Sequence, residues 1–583
     1  MAAGEGAGDR VRPVEEATAP SGLVGAPPWP REQPVARTRA IPFRSHAPAA
    51  LFAALLVIGL APIWLVPHVP TQDGANHVES VMGLLRLPRS ALLQHYYLPN
   101  YGLQPNWLTQ LLFAGLVQVV SPRVAEKLVL SGYLVLLPLA FRYALPRTER
   151  GRWAALTIFP FLHSYPFHMG FWNFSYSLAL FFVAVGLWYR TRGRLTTRTG
   201  LAFSAVTLVL FVAHSVSTMA ALAALGAVLA WRGGLGLWRA RGRARRRGIV
   251  LRGHVRRGLA TYAWALPAVG LMALFVVRQP KPYVYRPSLF DYAKHFASLY
   301  ALVSFDRREL LLTFPVALTI ALAVASGLRA RRARRLRLVD GWLAAGALAT
   351  LLYFLTPDAV ADGAQLTDRL ALYPFFAALL WLGWSSVPLR TVKLAAWALV
   401  VLFLAATAFR LFKYRQIDGY LAEYESVAPH VAEGSTILPL TFQPFGPREA
   451  GAIDGKKLLS YRVQVFQHVN GWIATDQHGI DLDNSQAKTT HTPLRWRDEL
   501  NPFTYLNTRP FGLEDEPPCV ELWPYLALGG RVDYVIVWGA TGPAALDECG
   551  GEVLAELGRT YERVYVSEPR GMAELWRPRK EPR

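Results

Sequence analysis

Cysteine is nearly absent from this chain, with 2 in 583 residues. There is no paired C-x-x-C, no H-E-x-x-H and no G-x-x-x-x-G-K-[ST]. Those gaps exclude a cysteine-held structural zinc, a zincin-type protease site and a P-loop ATPase. The Gly-rich "GPAALDECGG" (542–551) carries no nucleotide fingerprint. Lysine is scarce as well, 9 against 53 Arg, a skew that fits a GC-rich bacterial genome. Charged residues make up only 17% of the chain and hydrophobic ones 52%. The apolar residues form several runs of helix-spanning length, which makes this a polytopic α-helical membrane protein. The formal charge of +22 does not point to nucleic acid. Most Arg lies in short clusters between apolar runs, the positive-inside pattern.

Residues 1–45 are rich in Pro, Ala, Gly and Arg and are expected to be a disordered cytoplasmic tail. No short signal peptide precedes the first span, so 47–66 reads as a retained signal anchor. Arg clusters at 147–152, 190–198, 232–258 and 329–337, and the pair Arg390 and Lys393, mark inside loops. The third of these has ten Arg and no acid. Fixing all five inside forces an even number of crossings between each pair. By that logic 153–189 is a hairpin turning at "YPFHMGFWNF" (165–174), and 201–231 is a hairpin turning near His214 and Ser215. The stretch 106–120 is short for a span and reads as an interfacial helix. The expectation is about eleven spans, near 47–66, 123–145, 152–166, 171–189, 200–215, 217–231, 259–277, 311–328, 341–356, 370–388 and 394–411. The transmembrane part is 46–412, with a first outer loop at 67–122. The N-terminus is inside and the C-terminus outside, which for a bacterial inner membrane means periplasmic.

The tail 413–583 differs in character. Strands are expected at 435–442, 533–539 and 561–568 and a helix at 546–558, a small extramembrane α/β domain. Both Cys519 and Cys549 lie in it. They form either a disulfide, as an oxidising compartment permits, or two unpaired small core residues.

This topology gathers the unusual polar residues on one side. Asp73, Asn76, His77, Glu79 and Asn106 fall in the first outer loop. His168 and Asn173 flank the second turn and His214 forms the third. Arg278, Lys281 and Arg286 lie in the fourth outer loop, and Asp362 and Arg369 in the fifth. Ionisable groups at span mouths are costly and usually line a cavity or a site. Asp73 is the candidate base, with His77 in support. Arg278, Lys281, Arg286 and Arg369 are candidates for a phosphate. Asp73 and His77 stand four residues apart, so on one helix they would share a face and a divalent metal. The competing reading of "DGANH" is a helix cap, with Asp73 or Asn76 as the capping residue. A lone His such as His214 is more often a satisfied helix-end residue.

The pattern resembles the GT-C superfamily of membrane glycosyltransferases. The chain is also similar to a family of bacterial multi-pass proteins, through Gln72 to His77 in the first outer loop, Pro105 and Asn106, Gly170 to Phe174, and the span-end His214. Asp73 stands where the GT-C first-loop catalytic Asp lies, and 106–120 where a juxtamembrane helix of that superfamily lies. The resemblance implies a polyprenyl-phosphate-linked sugar as donor and a glycan, lipid or protein as acceptor on the outer face. It implies membrane lipids as further partners and leaves a divalent metal open. This chain lacks the acidic pair that many relatives carry in the first loop. Two other functions compete: a transporter or flippase, and a non-catalytic envelope assembly scaffold. No internal repeat favours a transporter, and the polar residues lie at span mouths rather than span centres.

Overall fold

A computed structural model describes residues 47–579, apart from 103, 279–283, 331–335, 361–362, 448–457, 490–491, 508–511, 517 and 541–547. Among the described residues, eight helices are long and apolar enough to cross a membrane. They start with Ala47–Trp64, Pro122–Ala144 and Trp172–Arg190 and continue with Ser215–Arg239 and Ala244–Val277. Arg307–Arg329, Leu338–Leu355 and Leu389–His430, each including a short 3-10 turn at one end, complete the set.

The other three segments expected to span do not form a continuous apolar helix of 18 residues. Thr197–Ala213 has 17 residues and Leu372–Trp384 has 13. The run 152–166 divides into a helix Glu149–Ala154 and a 3-10 stretch Ala155–Phe161 holding Pro160, whose missing N–H breaks the α-helical ladder. These three fall below the length of a full span, and the count of eight covers only the described helices that qualify by length and composition. The bend expected near His214 is present. That residue is extended, at φ −165° and ψ 129°, between Thr197–Ala213 and Ser215–Arg239. The stretch expected to be interfacial forms the helix Leu108–Leu116, with Leu111 and Leu112 exposed.

The last helix, Leu389–Glu425, has 37 residues. At 1.5 Å per residue it is about 55 Å long, far more than a ~30 Å hydrocarbon core needs. The boundary expected at 412/413 thus falls inside one continuous helix. Its far end seats a five-stranded sheet. Buried Glu423 accepts from the backbone N–H of Arg570 and of Met572, both at 3.1 Å, and pairs with the Arg570 guanidinium at 2.8 Å.

The sheet runs, in spatial order, Ile480–Asp481, Thr436–Thr441, Tyr534–Trp538, Ala573–Pro578 and Tyr561–Val566. The first three strands are parallel and the last two antiparallel to their neighbours. Every residue of Thr436–Thr441 is buried, as expected of a central strand with an apolar run, Ile437 to Leu440, between two threonines. The helix Glu548–Thr560 follows, and a Cys519–Cys549 disulfide ties its first turn to the segment before Leu522–Ala527.

The sheet unit does not stand apart from the first outer loop. Tyr97–Pro99 pairs antiparallel with Leu494–Trp496. Tyr96 and Tyr97 pack in the same core as Leu438, Leu440 and Trp496. Gly471 approaches the first-loop helix so closely that a Cβ there would lie 2.9 Å from the Ala75 carbonyl. The first loop and the C-terminal unit fold as one body around what lies between them.

Candidate functional site

Three hydrogen bonds stitch "QDGANH" to the turn at 168–170. The N–H of Gln72 donates to the His168 carbonyl at 3.0 Å, and that of Asp73 to Met169 at 3.1 Å. His77 Nε2 lies 2.9 Å from the Gly170 carbonyl. Gly170 sits at φ +83°, and a Cβ on it would meet the Asp73 nitrogen at 2.9 Å. Only glycine admits both the left-handed backbone and the close approach.

Asp73 precedes the helix Gly74–Arg86, yet its carboxylate accepts no N–H from that helix. The capping role is not taken up by Asn76 either. Asn76 lies inside the helix, fully buried, and its Nδ2 donates to Ser485 Oγ at 3.1 Å. The Asp73 side chain keeps 13% of its surface open and faces His468 Nε2 at 3.9 Å. The other ring nitrogen of His468 lies 3.3 Å from Asp483. Burial raises the Asp73 carboxyl to about 6, against the pull of His468 and Arg369. Burial alone would lower His468. The bond and charge of Asp483, then the charges of Asp73 and Glu514, override it and hold the ring at about 9. At neutral pH the site is therefore an imidazolium between two carboxyl groups, one of which titrates near neutrality.

Arg369 supplies the second cation acting on Asp73. Its guanidinium stacks over Phe171 at 4.3 Å and lies 3.4 Å from His214 Nε2. Burial lowers its pKa to about 10, which leaves it charged. His214 Nδ1 accepts the Val216 N–H, so this residue both starts a helix and buttresses Arg369.

The segment carrying His468 is pinned in place. Arg462 lies between the rings of Tyr165 and Tyr300, at 3.6 and 3.9 Å, and pairs with Asp368 at 2.7 Å. The Gln464 N–H donates to Gln72 Oε1 at 3.0 Å.

Several expected site residues serve the scaffold instead. His77 does not support Asp73. One ring nitrogen holds Gly170 and the other faces Gln110 Nε2 at 3.3 Å, and burial lowers its pKa to about 4. Asp73 lies before the helix, not on it, so the two residues do not share a helix face. With both His77 nitrogens in use, the Asp73 and His77 pair does not fit a metal. Among the described residues no group of three His, Cys, Asp or Glu could hold one. Asn173 gives its whole amide to the fold, accepting from Thr109 N–H and donating to Asn106 carbonyl and Gln110. His168 bridges Ser304 Oγ at 2.7 Å and Tyr414 hydroxyl at 2.8 Å. Arg278 and Arg286 are exposed, Arg286 donating to the Leu355 carbonyl, and neither is among the charges that act on Asp73. Lys281 and Asp362 lie outside the described residues.

Glu79 belongs to a buried acid cluster with Asp481 and Asp483. Its Oε1 accepts the Asp481 N–H at 3.0 Å, and burial, then the Asp481 charge, pushes its carboxyl well up. Sequence reasoning missed His468, Asp483 and Arg462. The signal available was the polar run in "VFQHVNGW" and "DLDNSQ" within otherwise apolar sequence.

No family model matches this sequence, and no curated protein matches it. Among solved structures, it is similar to ArnT from Cupriavidus metallidurans bound to undecaprenyl phosphate, over 91% of this chain and 98% of that one. The identity is 12% and the TM-score 0.42.

Proposed function

We propose that this protein is a GT-C-type membrane glycosyltransferase. It moves a sugar from a polyprenyl-phosphate donor to a hydroxyl-bearing acceptor on the outer face of the membrane. The observation that carries the reading is the uncapped Asp73 carboxylate, poised near neutral pKa between His468 and Arg369 where the first span ends. A carboxylate of that pKa takes a proton well at physiological pH. The acceptor O–H gives its proton to Asp73 as its oxygen attacks the anomeric carbon. The carbon–oxygen bond to the lipid phosphate breaks, and the phosphate leaves with the electron pair, inverting the centre. Arg369 is the cation placed to meet that developing charge. The disulfide in the sheet unit supports an outer, oxidising location for this face.

The test is donor consumption. Full-length protein in nanodiscs is given polyprenyl-phosphate sugars of several classes together with a membrane extract as acceptor. Mass spectrometry then reads free polyprenyl phosphate. Release that requires the protein supports the reading; no release from any donor refutes it.

A further inference from the structure

A second cationic site lies away from Asp73. A cavity of ≈ 420 Å³ lies beside the 409–420 stretch of the last helix, Leu389–Glu425. Its lining includes Asp306, Arg308, Phe412, Lys413, Arg415 and Arg570, four cations against one carboxylate. Lys413 lies 3.6 Å from Asp306, and Arg570 is held by Glu423. Arg308 and Arg415 are exposed, and their guanidinium groups have no carboxylate partner among the described residues. Asp306 also accepts the backbone N–H of Arg308. None of the lining residues is among the charges that act on Asp73.

The approach to the cavity is apolar. Leu394, Trp397, Val401, Leu404 and Phe412 are all exposed, at 61, 49, 61, 38 and 57%. Their spacing puts them on one face of the helix at 100° per residue. Arg415 and Gly419 continue that same face beyond Phe412 and line the cavity. At Gly419 a Cβ would meet nothing within 4 Å, so the wall there is open. An exposed apolar stripe thus runs without interruption into two guanidiniums that have no carboxylate partner among the described residues.

We propose that this cavity holds the phosphate headgroup of an anionic membrane lipid, with its chain lying along the Leu394–Phe412 stripe. Arg308 and Arg415 donate charge-assisted hydrogen bonds to the phosphate oxygens, and Phe412 packs against the first methylenes. An anionic leaflet concentrates such lipids at cationic groups near the interface. Free phosphate would gain the charges but leave the exposed stripe unused, so the lipid is the favoured source. The site does not depend on the transferase reading.

The test is native mass spectrometry of the full-length protein in detergent. The probes are phosphatidylglycerol, diacylglycerol of the same chains, and inorganic phosphate. The expected result is retention of phosphatidylglycerol and neither of the others. In an Arg308→Gln/Arg415→Gln variant retention falls by about tenfold or more, as loss of charge-assisted bonds implies. An Arg245→Gln/Arg252→Gln variant removes the same charge elsewhere and retains lipid like the parent. Both altered cavity side chains are exposed, so the variant is expected to fold, and an unchanged melting temperature checks this. If it does not fold, Arg415→Gln alone carries the test. Equal retention by the cavity variant overturns the proposal, as does binding of inorganic phosphate as tight as that of the lipid.

Discussion

Replacing His468 with Gln removes the imidazolium that lies 3.9 Å from the Asp73 carboxylate. Both side chains are largely buried, at 5% and 13% exposure, so solvent screens the pair only in part. At that distance two unit charges interact by about 1 kcal/mol in water and about 4 kcal/mol at an effective dielectric of 20. That corresponds to about 1–3 pH units. Losing a cation makes ionisation harder, so the Asp73 pKa rises from about 6 to roughly 7–9. If the ionised carboxylate is the working form, the acid limb of kcat/KM moves up by the same amount. At pH 7 the ionised fraction falls from about nine-tenths to between about half and one hundredth. The assay is sugar transfer from a lipid donor across pH 5 to 9, parent against His468→Gln, with melting temperatures to show that both are folded. An acid limb that stays in place, or moves down, refutes the coupling and with it the role given to His468.

Other consequences follow from particular contacts. Gly170→Ala forces a Cβ to 2.9 Å from the Asp73 nitrogen at φ +83°, at a cost of roughly 1–3 kcal/mol, so both melting temperature and activity should fall. Removing the Cys519–Cys549 bond by Cys549→Ser opens a loop of sequence separation 30, which corresponds to about 3–4 kcal/mol of lost stability. A non-reducing peptide map of the parent should show that bond, and free thiols would contradict it. Reporter fusions at Arg245 and Glu433 should report opposite sides of the membrane. Finding both on one side would remove the basis for an outer site.

The polar cluster after the first apolar run was visible in the sequence because those residue types are rare at a span exit. Their division of labour was not. Asp73 and His77 share a four-residue spacing, but only His77 is on the helix, and its ring is spent on Gly170 and Gln110. Asn106 and Asn173 looked like binding groups because they are polar at span mouths. In the fold the Asn173 side chain satisfies backbone groups of Asn106 and Thr109 where the chain turns between buried helices, a requirement no local pattern displays. His468 could not be paired with Asp73 from sequence, since the two lie almost 400 positions apart and meet only because the sheet unit shares a core with the first loop. Most long helices were legible from hydropathy. The segment at 152–166 was not, because an apolar run reads alike whether it continues as an α-helix or tightens into 3-10 turns at Pro160.

Asp73→Asn tests the central claim most directly. The amide keeps the size of the side chain and removes its charge. The folded protein disfavours that charge, since the pKa rises from 3.8 to about 6. The ionised carboxylate therefore opposes folding above about pH 6, and that cost disappears as pH falls below the unfolded value. At pH 7 the variant should melt at or above the parent, with a gain of up to about 3 kcal/mol. Transfer of sugar from the lipid donor should fall by roughly 10²–10⁴-fold. A variant that melts like the parent and transfers sugar at the parental rate would contradict the account.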